Sequence, residues 1–130
     1  MKKIIGTDKA PKAIGPYSQA VEINNTLYIS GQIPIDPATG EIVKGGITEQ
    51  TEQVLKNIGI ILSSAGYSFN DVVKSTCMLT DLANFPVMNE IYAKYYTKDF
   101  PARSTFQAAA LPREVMIEID TIAAKKSENE

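Results

Sequence analysis

Histidine is absent from the 130 residues of this chain, and cysteine occurs once, at Cys77. The first absence removes the Ser-His-Asp and Cys-His nucleophile pairs and argues against a catalytic zinc site. Any catalysis falls to carboxylate, tyrosine, arginine, backbone groups and water. The second absence leaves Cys77 no internal disulfide partner, which fits a reducing compartment. Its β-branched neighbours mark it as a small apolar filler rather than a nucleophile. Long apolar runs are missing as well. Nothing approaches the roughly 18 apolar residues that span a bilayer. Gly6-Thr7-Asp8-Lys9 interrupts the signal-like start Met1-Lys2-Lys3-Ile4-Ile5 before an apolar region develops. A cytoplasmic location is expected, with no membrane partner. Excess basic charge is lacking too: the net charge is −2 and the pI is near 5.2. That leaves no electrostatic footprint for nucleic acid. The lysines near the two ends, Lys125 and Lys126 among them, read as solvated termini.

Arginine is the scarcest charge of all. Eleven lysines supply the ordinary positive surface, whereas the two arginines are Arg103 and Arg113. Arg103 lies in Phe100-Pro101-Ala102-Arg103-Ser104-Thr105-Phe106, among apolar neighbours. A guanidinium there is costly to desolvate unless something planar and anionic pairs with its five fixed donors. Two partners fit: an internal carboxylate, Glu118 or Asp120, or the carboxylate or phosphate of a ligand.

The length suits one domain over residues 1–130, with a polar tail at about 125–130. Ala20–Asn24 and Thr26–Ser30 read as strands about an Asn-rich hairpin turn. Asp36-Pro37-Ala38-Thr39-Gly40 reads as a further turn. From Ile47 to Ala65 apolar residues recur at helical spacing, between Gly45-Gly46 and Gly66, which suits a left-handed C-terminal cap. Val72–Leu79 reads as a strand. A second helix carries Phe85, Met88, Tyr92, Tyr95 and Tyr96, capped by Asn84 or Asp81. Asn89 falls on that same face and needs partners in the core or in a pocket. Strands return at Ser104–Ala109 and Val115–Ala123. The order β, β, β, α, β, α, β, β predicts an α+β fold, two helices on one face of a single mixed sheet. Along the last strand Val115, Ile117 and Ile119 alternate with Met116, Glu118, Asp120 and Ile122. The second set is too mixed for a monomer's core and too apolar for simple solvent exposure. It reads as an oligomer interface containing carboxylates.

Gly15-Pro16-Tyr17 is a stiff loop that fixes Tyr17, whose hydroxyl either serves a site or caps a strand end. Gly31, in Ser30-Gly31-Gln32-Ile33-Pro34, permits close approach by a ligand or another chain. With Phe85 to Tyr92, Pro101-Ala102-Arg103-Ser104, Leu111-Pro112 and Ile117-Glu118-Ile119, these motifs follow one order along nearly the whole chain. Together they closely resemble the reactive-intermediate deaminase (Rid/YjgF) family, over about residues 3 to 124. The resemblance implies a chorismate-mutase-like fold and a homotrimer with sites in clefts between subunits. It also implies hydrolysis of 2-imino acids, released by pyridoxal-phosphate enzymes, to 2-keto acids and ammonia, with no cofactor or metal. The matching positions are Tyr17, Ser30, Gly31, Asn89, Arg103 and Glu118, while Thr105 stands where the family often has cysteine. In that reading Arg103 holds the substrate carboxylate and Glu118 moves protons. Tyr17, Ser30, Asn89 and groups near Gly31 and Thr105 hold water and substrate. Two rivals remain, a non-catalytic keto-acid-binding regulatory module and an endoribonuclease or translation inhibitor. Glu118 argues against the first, since a sensor of anions gains nothing from a second negative group. The acidic pI argues against the second.

Overall fold

A computed structural model describes residues 1–127 of the chain. Six strands form one sheet in the order β1-β2-β3-β6-β4-β5. They are β1 (Lys3–Ile5), β2 (Ala20–Ile23), β3 (Thr26–Gln32), β4 (Val72–Leu79), β5 (Ala102–Gln107) and β6 (Ile117–Ala124), with helices α1 (Ile47–Ser64) and α2 (Phe85–Tyr95). All pairings are antiparallel except β4 with β5. A parallel pair needs a crossover, and α2 supplies it.

Local chemistry accounts for the turns and helix ends. Asn24 and Asn25 take φ of 50° and 57°, the pair of positive values that a two-residue hairpin requires between β2 and β3. Helix α1 begins where the Gly46 amide donates to Glu49 Oε1 at 2.8 Å. It stops at Gly66, whose φ of +82° suits glycine alone without strain. There the Tyr67 amide reaches back to the Leu62 carbonyl and the Gly66 amide to that of Ser63, the paired bonds of a Schellman end. Between these ends Val54, Leu55, Ile58, Ile61 and Leu62 are completely buried against the sheet and α2. Each contributes about 1.5–3 kcal/mol relative to exposure.

Several expectations shift: β6 starts at Ile117 rather than Val115, and Asp81 caps the short turn Leu82–Asn84 rather than α2, where Asn84 makes no side-chain cap bond. The third strand before α1, placed nowhere by sequence pattern, is Lys3–Ile5, in the run that briefly imitates a signal sequence. Strand β5 starts at Ala102 instead of Ser104, because Arg103 is already paired in register with Ser75 of β4. Pro101, lacking an amide hydrogen, marks the limit of that ladder. Lys125 is anchored rather than free in solvent: its Nζ donates to the Gly66 carbonyl at 2.9 Å and lies 4.4 Å from the Tyr67 ring centre. Residues 128–130 of the expected tail lie outside the described residues.

The two faces of the sheet differ as the alternation in β6 implies. Ile117, Ile119, Thr121 and Ala123 are buried beneath the helices. Glu118, Asp120 and Ile122 point away from them, half-buried, in a face that also carries Tyr28 (48% exposed) and Phe106 (46% exposed).

Candidate active site

The expected site residues fall into two groups on opposite faces of the sheet. On β4, Ser75, Cys77 and Leu79 are fully buried under the helices, so their cross-strand partners share that side. Arg103 pairs with Ser75 and Thr105 with Cys77, both therefore beneath α2. Glu118 pairs with Met78, whose side chain points the other way. The internal ion pair of Arg103 with Glu118 or Asp120 does not form. Among the described residues Arg103 makes no salt bridge at all.

Arg103 lines a 460 Å³ cavity with Asn89, Tyr92, Tyr96 and Phe100, while Thr105 is not among its lining residues. The guanidinium carbon sits 4.8 Å from the Tyr92 ring centre and 5.3 Å from that of Phe85. Asn89 shares the face of Phe85 and Tyr92 but is exposed, so its amide faces the cavity rather than a core partner. The Thr105 hydroxyl is buried and has no hydrogen-bond partner among the described residues. Cys77 beneath it is fully enclosed, and burial pushes its thiol up to about 11, consistent with an inert filler.

The glutamate group lines a 480 Å³ cavity that holds Tyr17, Ser30, Gly31 and Glu118, with Lys12 and Pro112 at its wall. Between Ile29 and Gln32, β3 spends one residue more than β6, a bulge that turns Ser30 and Gly31 toward Glu118. A Cβ built on Gly31 would collide with the Glu118 carboxylate, so glycine is what makes room for it. Burial, then repulsion from Asp120, raises the Glu118 pKa above the ordinary 4.5. Ser30 Oγ donates to the Ser18 carbonyl at 2.6 Å, leaving its lone pairs to accept from a water. Tyr17 is exposed at the rim, its amide bonded to the Gly15 carbonyl at 2.9 Å. Glycine takes a φ of +119° at position 15 to make that turn. Among the described residues no group of three or more Cys, Asp or Glu side chains is placed to hold a metal ion.

A family model described as endoribonuclease L-PSP matches residues 7–125. The chain belongs to that family, the Rid/YjgF family. It is 51% identical to the mouse (Mus musculus) 2-iminobutanoate/2-iminopropanoate deaminase, covering 96% of this chain and 93% of the relative. A Rid family protein of unknown function from Yersinia pestis superimposes with a TM-score of 0.94 at 48% identity, covering 96% of this chain and all of the other. TdcF of E. coli, solved with bound serine, gives 0.91 at 41% identity over 95% and 99% of the two chains.

Within this Rid fold, three buried amides that sequence reading did not single out set the glutamate cavity. Asn57 Nδ2 donates to the Ile35 carbonyl at 2.9 Å and fixes the segment Ile33–Ile35 that lines it. Gln50 Oε1 accepts from the Met116 amide at 2.8 Å, two residues before Glu118. Gln19 bonds both the amide and the carbonyl of Thr7 and also the Pro11 carbonyl, tying the wall to β2. The one available signal was polarity inside apolar patterns, as at Gln50 and Asn57 in α1.

Proposed function

We propose that this protein hydrolyses 2-imino acids to 2-keto acids and ammonia, in clefts formed between copies of the chain assembled as a homotrimer. The observation that carries the reading is the division of the site. Among the described residues, one chain presents a guanidinium without a carboxylate on one face, and a carboxylate without a salt bridge on the other. A neighbouring copy that brings its Glu118 face to the Arg103 cavity supplies what each half lacks. The half-buried apolar face around Tyr28, Phe106 and Ile122 favours such burial. The mouse relative's name, 2-iminobutanoate/2-iminopropanoate deaminase, supports a 2-imino acid substrate. The serine bound to TdcF carries the α-carboxylate that an Arg103-type site would take.

The chemistry needs little beyond positioning. Arg103 takes the substrate carboxylate in its planar fork and fixes the C=N carbon beside it. Glu118, as carboxylate, accepts a proton from water while the water oxygen bonds to that carbon. The nitrogen then receives a proton from Glu118. That opens the C=N double bond to a carbinolamine; Glu118 then relays the hydroxyl proton to the same nitrogen as the remaining C–N bond breaks, the C=O bond forms, and ammonia leaves. Tyr17 and Ser30 orient the water, and Asn89 borders the carboxylate end, with Thr105 two residues along β5 from Arg103. Imines hydrolyse readily unaided, so a chain without histidine suffices. A keto-acid sensor would share Arg103 but has no use for Glu118, and the net charge of −2 argues against an RNA substrate. No helix among the described residues is long and apolar enough to cross a membrane. The lone, enclosed cysteine supports a reducing, cytoplasmic location.

The test is the rate of ammonia or keto-acid formation from freshly generated 2-iminobutanoate and 2-iminopropanoate. Acceleration over the protein-free rate is expected. An unchanged rate would sink the reading.

A further inference from the structure

Arg103 poses a physical problem that its role as an anion anchor leaves open. A half-buried guanidinium with no acid partner among the described residues has to be held in one orientation by something other than charge. Lysine-like flexibility at this position would spend binding energy on ordering the side chain each time an anion arrived. The contacts around it come from α2. Phe85 and Tyr92 are seven residues apart, two helical turns, so their rings project from one face of the helix. Both ring centres lie within cation–π range of the guanidinium carbon, at 5.3 and 4.8 Å. A ring face set against a guanidinium can cover its flat side and leave its N–H edge for a planar anion.

Tyr92 is itself locked. Its hydroxyl donates to Ser75 Oγ at 3.0 Å in a fully buried contact. Ser75 is the cross-strand partner of Arg103. On its other side the Tyr92 ring stacks on Tyr96, with centres 4.3 Å apart and planes 28° apart, and Tyr96 meets Phe69 edge-on at 5.2 Å. The arginine thus lies at the open end of a stack that runs into the core.

We propose that Tyr92, fixed by Ser75, and Phe85 are positioning residues. They form an aromatic clamp that holds the Arg103 guanidinium edge-out toward the carboxylate of the 2-imino or 2-keto acid. This rests on the proposed function, because it assigns the anion that Arg103 receives. The clamp confers selectivity for a planar carboxylate beside the reacting carbon. A neutral analogue of the same shape gains nothing from it.

The experiment compares 2-ketobutanoate with its neutral amide, 2-ketobutanamide, as calorimetric ligands of the assembled protein. The variants are Phe85→Leu, Tyr92→Leu, Tyr92→Phe and Arg103→Ala, each with a melting curve. Either leucine variant should weaken acid binding by about tenfold, the equivalent of roughly 1.4 kcal/mol, with the weaker amide binding unmoved. Tyr92→Phe keeps the ring but loses the bond to Ser75, and should fall between wild type and Tyr92→Leu. In the Arg103→Ala background the leucine changes should cost no further affinity for the acid, since there is no guanidinium left to hold. A purely structural role for the rings gives a different pattern. Affinity for acid and amide then falls together, or the leucine changes cost the same with and without Arg103; either result overturns the clamp. Should Tyr92→Leu fail to fold, half-buried Phe85 still decides the matter. Wild-type protein that hydrolyses imines while Phe85→Leu binds 2-ketobutanoate as tightly overturns the clamp alone. Wild-type protein that neither binds 2-ketobutanoate nor hydrolyses imines overturns the functional reading, and the clamp with it.

Discussion

The Glu118 carboxylate fills the space where a side chain at Gly31 would begin. The two residues sit on adjacent strands at the bulge in β3, and the absence of a Cβ on one sets the position of the other. Gly31→Ala should fold, since Gly31 does not take a positive φ, but must push the carboxylate aside. A displacement of about 1 Å at a reacting group can cost on the order of 10²-fold in rate. Imine-hydrolysis rates and melting curves of the variant check this; full activity would show that the glutamate position is immaterial.

Binding and proton transfer should separate cleanly. Arg103→Ala is expected to lose both keto-acid affinity and turnover, and Arg103→Lys to rescue poorly, because a point charge cannot replace the fork. Glu118→Gln keeps the shape, and should still bind 2-ketobutanoate while losing turnover by roughly 10²–10⁴-fold, less if spontaneous hydrolysis sets a high floor. Calorimetry and initial rates on the same preparations distinguish the two. Equal losses of binding in both variants would contradict the division of roles.

The pH profile follows from the environment of Glu118. Its pKa lies above 4.5, through burial first and Asp120 second. Proton acceptance requires the ionised form, so kcat/KM should fall as pH drops through that raised value, earlier than for an ordinary glutamate. Asp120→Asn removes the second cause and should move the acid limb to lower pH. The stability sign is the opposite of a salt-bridged acid. The contribution from Glu118 is fully present below its unfolded pKa and is lost as pH rises through the folded one. Glu118→Gln should abolish that part of the pH dependence in thermal melts. An acid limb unchanged by Asp120→Asn would remove the repulsion from the explanation.

Cys77 should prove dispensable. Enclosed in β4 with its thiol raised to about 11, it offers no thiolate near neutral pH. Cys77→Ala is expected to retain imine hydrolysis at a cost of about 1 kcal/mol in stability. An assembled but inactive variant would reverse this view.

Much of the architecture was legible because it is written in short-range chemistry. The Asn24-Asn25 turn, the capped run Ile47–Ala65 and the alternation along β6 each depend on neighbours a few residues away. The edge strand Lys3–Ile5 was not, since three residues carry no period and its pairing to β2 is long-range. Arg103 and Glu118 were both visible as unusual, yet their placement on opposite faces was not. It depends on the register of β4 with two different strands, which neither local sequence encodes. Gln19, Gln50 and Asn57 escaped for the same reason: each bonds a backbone segment at least eight residues away.

That placement also supplies the most direct test. The Arg103→Ala and Glu118→Gln proteins are each expected to assemble, with a solution mass three times the 14.2 kDa of the chain, and to be nearly inactive alone. Unfolded together in equal amounts and refolded, they form mixed trimers. In these, one cleft draws Arg103 from one variant and Glu118 from the other. Recovery of roughly a quarter of wild-type imine hydrolysis is expected from random mixing in a three-fold ring. Mixed trimers no more active than the separate variants would contradict a site shared between copies of the chain.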